Sequence, residues 1–259
     1  ANHGLIKAAS GGTLTITVAL TDDTGSGGNY HKMEAVSGGT LSLVGDMLNR
    51  GAATIDATGT GSTIVFSPDH HFTHDDVVIN EGILVASSGG ELDVQDRKIY
   101  NVGAGAHGIM VDSGSTLLVD TGTLKLTGGG DVTLENGGLV TENAENPTVV
   151  NSGAILHLDN IDNTIEGAGA IGTGDGHLAL LNQVDATIDA NVSGDTLTID
   201  TGNTVINKGT LEVTGGGTLD VQDGKIDNTA GGFKGITIDD GTLLVDTCLL
   251  YTSPSPRDR

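Results

Sequence analysis

Tryptophan is absent from this chain, cysteine occurs once, and three tyrosines and three phenylalanines supply every aromatic ring. A single thiol, Cys248, excludes an internal disulfide framework and a cysteine-ligated zinc site, so the compartment must be inferred from other features. Before residue 248 the rings are Tyr30, Phe66, Phe72, Tyr100 and Phe233, too scattered to line a sugar-stacking cleft. Positive charge is equally scarce: 11 Lys and Arg stand against 34 Asp and Glu, a formal net charge of -23, and Arg50 and Arg97 are the arginines before residue 248. Phosphate recognition depends on Lys and Arg, so nucleic acid and anionic lipid are excluded as partners. No apolar run is long enough to cross a bilayer as a helix.

What the chain has instead is glycine, 42 residues of it, and a long internal duplication. The stretch from Val78 to Asn101 (VINEGILVASSGGELDVQDRKIYN) returns from Val205 to Asn228 (VINKGTLEVTGGGTLDVQDGKIDN), a shift of 205 − 78 = 127. Gly108 to Thr121 returns as Gly235 to Thr247, and upstream Asn49 to Ala57 parallels Asn182 to Ala190 at a shift of 133. The two copies of the super-repeat therefore cover about residues 38–121 and 171–247. A unit that cannot bury its own apolar face must stack on its neighbours.

Within each copy, apolar and polar residues alternate in short bursts such as Leu14-Thr15-Ile16-Thr17-Val18, Leu92-Asp93-Val94, Leu124-Lys125-Leu126, Leu197-Thr198-Ile199 and Leu211-Glu212-Val213. A period of two with β-branched residues predicts half-buried strands, and glycine and asparagine interrupt every window long enough to hold a helix. Sandwich and barrel also accommodate many short strands, but tandem copying of so long a unit favours a solenoid, in which each coil contacts only its neighbours. The expectation is an all-β fold: a single-stranded parallel β-helix (β-solenoid), right-handed, of roughly ten coils with about 20 residues each, filling residues 1–247. Leu, Ile and Val of the bursts should point inward, with Thr, Asp, Glu and Lys outward. Asn-x-Gly corners at Asn49, Asn80, Asn151 and Asn207 suit left-handed backbone, and their side chains can stack into a hydrogen-bonded ladder.

The fall in shift from 133 to 127 places extra residues in the first copy, in a loop over residues 67–77. His70, His71, His74, Asp75 and Asp76 lie there, imidazoles and carboxylates of the kind that bind a divalent transition metal; a solvated polar loop is the competing reading. Asp112, Asp120, Asp200, Asp239 and Asp246 follow strands and are candidates for weak calcium binding between coils, although no tandem series of the calcium-binding nonapeptide occurs. Two G-x-G-x-x-G matches, from Gly103 and from Gly167, open no helical pattern and are set aside as dinucleotide sites. A glycan-active β-helix needs a carboxylate pair unique to one coil; here carboxylates recur with the repeat, which points to surface and to a protein without catalysis. No cofactor is expected.

After Thr247 the duplication stops. Back-translation of Cys248 to Asp258 resembles read-through into a transposon-type sequencing adapter, so residues 248–259 are expected to be a non-native tail of a metagenomic fragment.

Asn163 to Gly169, Ala186 to Ala190 and Thr201 to Glu212 resemble the repeats of very large exported bacterial proteins, the β-solenoid regions of adhesin-like and autotransporter-passenger-like surface proteins. The likeness covers most of residues 38–247 in low-complexity motifs. It implies a secreted or cell-surface stalk outside the bacterial outer surface, contributing to attachment or biofilm, whose partners are a host-cell, glycan or matrix ligand and the neighbouring repeats of the same parent chain. Glycan-active β-helix and calcium-stabilised β-roll are the alternatives.

Overall fold

The computed structural model describes residues 1–18, 28–69, 77–103, 107–143, 153–222, 225–228, 235–245 and 250–252, and every regular element among them is a β-strand. Coil 1 holds β1 (Leu5–Ala9) and β2 (Thr13–Val18). Coil 2 holds β3 (Lys32–Val36), β4 (Thr40–Gly45) and β5 (Met47–Asn49), and coil 3 holds β6 (Thr54–Thr58), β7 (Thr63–Ser67) and β8 (Val77–Asn80). Coil 4 has β9 (Ile83–Ser87), β10 (Glu91–Gln95) and β11 (Lys98–Asn101), and coil 5 has β12 (Gly108–Val111), β13 (Thr116–Thr121) and β14 (Thr123–Thr127). In coil 6, β15 (Asp131–Glu142) is followed by β16 (Leu156–Asn160), and in coil 7, β17 (Thr164–Ile171) by β18 (Leu178–Asn182). Coil 8 has β19 (Thr187–Ala190), β20 (Thr196–Ile199) and β21 (Val205–Asn207); coil 9 has β22 (Thr210–Val213), β23 (Thr218–Val221) and β24 (Ile226–Asn228). Coil 10 has β25 (Gly235–Ile238), β26 (Thr242–Val245) and β27 (Leu250–Thr252).

All pairings are parallel and join one coil to the next, which makes the fold a β-solenoid with three faces. Face A is the ladder from β1 through β25, face B runs from β2 through β26, and face C is the nine-stranded sheet from β5 to β27. Faces A and B merge into one 18-stranded sheet because β15 and β17 each run through the A/B corner without stopping. Facing residues of paired strands in successive coils are separated by as few as 21 positions (Val77 and Lys98) and as many as 34 (Thr123 and His157). These coils exceed the expected 20 residues because most carry three strands and the corners between them.

The inward positions stack by coil as the alternation requires. On face A, Ile6, Met33, Ile55, Leu84, Ile109, Val132, Ile165, Ile188, Leu211 and Ile236 form one column in register. Except at the two ends these side chains are fully or almost fully buried, and they belong to a single apolar cluster running the length of the described rod. Each buried Leu, Ile or Val contributes about 1.5–3 kcal/mol, so the core grows by similar increments as coils are added.

The duplicated sequences take the same places in the rod. Val78 and Val205 both lie at the start of face C strands, and β8 to β13 correspond in order and face to β21 to β26, so the 127-residue unit is five coils. The loss of one residue between the copies falls in the turn after β12, where Asp112 to Ser115 is matched by Asp239 to Gly241. No helix among the described residues is long and apolar enough to span a membrane.

Candidate acidic sites on the outer faces

The proposed metal ligands His70, His71, His74, Asp75 and Asp76 lie outside the described residues. Among the described residues no group of three or more His, Cys, Asp or Glu is arranged to hold a metal ion. Of the strand-following aspartates, Asp246 also lies outside, while Asp112 accepts from the Ser113 amide at 2.7 Å and from Asn136 Nδ2 at 3.3 Å. The glycines from Gly167 to Gly172 lie on and just after β17 with no helix following, which leaves them without a dinucleotide-binding context.

The LDVQD motif recurs with the repeat, which points to surface, yet its first copy builds the most perturbed carboxyl of the described rod. On face B, Asp93 stands in register between Val65 of coil 3 and Leu118 of coil 5, two apolar side chains that hold water away from its carboxyl. Burial first, then the charges of Asp120 and Glu91, push the Asp93 pKa up to about 7, and Gln95 opposes them weakly. Glu91 is raised for the same two reasons, burial and Asp120. Gln95 ties the group together: its Nε2 donates to Asp120 Oδ2 at 3.0 Å and to Asp93 Oδ2 at 3.4 Å, while its Oε1 accepts from Ser67 Oγ at 2.8 Å. Asn143 donates to the other oxygen of Asp120, so the polar chain crosses coils 3 to 6. Beside it Arg97, buried at the face B to face C corner, donates through Nη2 to the Ser67 carbonyl. An aspartate protonated near neutrality beside a second carboxylate is the chemical pairing used for general acid and base work.

The second copy repeats only part of this. Gln222 Nε2 donates to Asp220 Oδ2 at 2.8 Å, but Asp220 is flanked by Thr198 and Leu244, with one hydroxyl-bearing neighbour in place of an apolar pair. The signal that would have separated the copies is the identity of residues 28 and 25 positions away, which only the register reveals.

Face A carries an outward row in register: Lys7, Glu34, Asp56, Val85, Met110, Thr133, Glu166, Asp189, Glu212 and Thr237. Its start is neutralised, with Lys7 Nζ 2.9 Å from Glu34, and Lys32 Nζ 2.6 Å from Glu34 and 3.2 Å from Asp56. Lys32 and Lys7 accordingly hold Glu34 below the usual glutamate range. Further along, Glu166, Asp189 and Glu212 stand in register on successive coils. Burial raises Glu166 and Asp189, with Asp131 adding to the first. Each is partly offset by a donor 25 residues on: Asn191 Nδ2 to Glu166 at 2.9 Å, and Thr214 Oγ1 to Asp189 at 2.9 and 3.1 Å.

Glu142 is unlike the others because it points inward. It faces Val119, so it ends the core column Leu43, Phe66, Val94, Val119, and it is only 3% exposed. Burial and the nearby Asp175 raise its pKa, against a bond from Thr141 Oγ1 at 3.0 Å.

Comparison of the chain with protein-family models, with curated proteins and with solved structures found no match in any of the three.

Proposed function

We propose that the chain is a length of structural and adhesive stalk in a large secreted or cell-surface bacterial repeat protein, displayed outside the outer surface and acting without catalysis. The observation that carries this reading is the coincidence of the 127-residue duplication with five whole coils. Copying in whole coils changes the length of a rod and leaves every interface between coils as it was, which is what selection for reach produces. Excision of residues 78–204 joins Val77 to the second copy of the same strand. The product should fold and be shorter by about 24 Å, five coils at roughly 4.8 Å each. Small-angle scattering of the two chains reads that difference, and the thickness of a layer grafted upright on a flat surface reads it as reach. Failure of the excised chain to fold, or an unchanged length, overturns the proposal.

A second reading, a glycan-active β-helix, is favoured by one observation, the neighbouring carboxyls of Asp93 and Asp120 bridged by Gln95. It requires turnover of an acidic or neutral polysaccharide that falls away as Asp93 ionises near pH 7 and is abolished in Asp93→Asn and Asp120→Asn. Absence of any released oligosaccharide across a polysaccharide panel between pH 5 and 8 removes it.

A further inference from the structure

The A/B corner of coils 6 to 8 is notched, and the notch is local to the stretch where β15 and β17 run through the corner. Three residues of β15, Glu135 to Gly137, stand against Ala168 alone, while Gly138 and Gly169 are in register on the far side of the shift. Glycine is required at both: a Cβ on Gly138 would lie 2.0 Å from the Val111 carbonyl oxygen, and one on Gly169 2.2 Å from that of Gly138. Beside these close backbone approaches the corner opens into a concavity of about 480 Å³ walled by Asn136, Gly137, Ala168, Ala170, Asp195 and Thr196. Bulges of this kind interrupt the ladder and re-aim side chains, and they concentrate beside binding sites.

Charge around the notch has one sign. From Lys125 to Lys208 the chain has no Lys or Arg, while twelve Asp and Glu fall in that interval. Asp195 is itself a wall, and Asp131, Glu166 and Asp189 lie on the adjoining face A of the same coils. We propose that this notch is a docking site for an extended basic segment of a partner protein, which seats one Lys or Arg side chain in the concavity. The methyl groups of Ala168 and Ala170 suit the methylenes of such a side chain, Asp195 receives its charged end, and the flanking carboxylates attract the neighbouring basic residues. A bare divalent ion finds one carboxylate in the walls, too few to replace its water. A second copy of this chain carries the same net charge of -23 and is repelled. The inference does not depend on the stalk reading, since a rod without this notch would have the same length and stiffness.

The test uses the full chain and a short Lys-Gly repeat peptide, titrated by calorimetry at about 0.15 M salt, with the lysine-acetylated peptide as control. The unmodified peptide should bind and the acetylated one should not. Asp195→Asn should weaken binding about tenfold, the loss of one charge-assisted bond. Ala170→Leu, which fills the notch at unchanged charge, should weaken it at least as much, and Asp185→Asn, an exposed carboxylate of coils 7 and 8 outside the notch, should leave it unchanged. Circular dichroism of each variant confirms folding, and the two notch variants fail independently. Equal weakening by Asp195→Asn and Asp185→Asn, no effect of Ala170→Leu, or displacement of the peptide by an equal concentration of free polyamine each overturns the proposal. Scattering of the excised chain is unaffected by any of these outcomes.

Discussion

Asn80 donates from Nδ2 to Oδ1 of Asn101 at 2.9 Å, across one coil of the rod, in surroundings from which both residues are wholly shielded. The bond is one rung of a ladder at the end of face C, from Asn2 through Asn29, Asn49 and Asn80 to Asn101. A second run joins Asn160, Asn182, Asn207 and Asn228, and its last rung, 127 residues after the Asn80–Asn101 rung, measures 2.8 Å. Between the runs, coil 5 has no asparagine at this position. There Asn101 Nδ2 turns to the Asp131 carbonyl at 2.9 Å and Asn163 Nδ2 to the Gly130 carbonyl at 2.8 Å, so the donors at the break still find acceptors. A buried amide whose partner is removed costs far more than the bond was worth, and this makes the ladder a strict requirement.

The ladder predicts a positional effect. Asn80→Ala removes the donor to Asn101 Oδ1 and the acceptor of Asn49 Nδ2 in the buried interior, and should cost about 1–3 kcal/mol for each group left unmet. Asn49 keeps the carbonyls of Ala53 and Ile83 at 3.2 and 3.1 Å, so the lower half of that range is expected. Asn228→Ala, at the last rung, should cost less. Urea unfolding with an unchanged slope and a lower midpoint for Asn80→Ala reads the difference. Equal midpoints for the two variants would count against the ladder as a source of stability.

Acidity should stabilise the rod. Asp93, Glu91, Glu142, Glu166 and Asp189 are all raised by burial, so each binds its proton more tightly folded than unfolded. The stability such a group contributes is fully present below its unfolded pKa and is lost as pH rises through the folded one; for Asp93 that window runs from 3.8 to about 7. Glu34 works in the opposite sense: lowered by Lys32 and Lys7, it contributes stability above its unfolded pKa that is lost as pH falls through the folded value. With five groups against one, the melting temperature should rise as pH is lowered from about 7.5 to about 5, and Asp93→Asn should flatten part of that rise. A melting temperature that falls steadily over this range contradicts the prediction.

Much of this architecture was legible in the sequence, and the reason is periodicity. Alternation at Leu92-Asp93-Val94 fixes which side chain is buried whatever lies beside it, and Asn-x-Gly at 49, 80 and 207 marks the corners where the rungs form. What could not be read depends on the neighbour across a coil, whose separation varies from 21 to 34 residues. Asp93 and Asp220 share the same five-residue motif, yet Val65 and Leu118 flank the first while Thr198 and Leu244 flank the second. The continuity of β15 through a corner was hidden for a related reason: Asn136-Gly137-Gly138 reads locally as a turn, and only the pairing with β17 keeps it in the sheet.

Glycines also divide into two kinds according to what lies across the coil. A Cβ on Gly217 would lie 2.2 Å from the Ala190 carbonyl oxygen, and one on its counterpart Gly90 2.0 Å from that of Ala57, so backbone of the previous coil occupies the space. Gly4 meets nothing within 4 Å. Gly217→Ala should therefore push two coils apart and cost about 1–3 kcal/mol, as overpacking does, while Gly4→Ala should be near neutral. Thermal unfolding of the two variants side by side separates them, and a neutral Gly217→Ala would show that the coils are spaced more loosely than described.

Glu142 supplies the prediction with the least expected sign, since removing a conspicuous carboxyl should strengthen the protein. Its position continues the column Phe66, Val94, Val119, and a valine there would restore the pattern of the three preceding coils. Glu142→Val deletes a buried carboxyl that burial and Asp175 already hold above the ordinary glutamate range. Because the folded protein binds the Glu142 proton more tightly than the unfolded chain does, the cost of keeping this carboxyl buried grows as pH rises, so the gain from the substitution should be larger at pH 8 than at pH 5. Glu142→Gln separates charge from shape: it removes the titration but leaves a buried amide, and should show the weaker pH dependence without the full gain. Melting temperatures of the three chains at both pH values are sufficient. A valine variant destabilised equally at pH 5 and pH 8 would mean that the bond from Thr141 and the contact with Asp175 hold this corner together, and that the carboxyl stabilises the coil it interrupts.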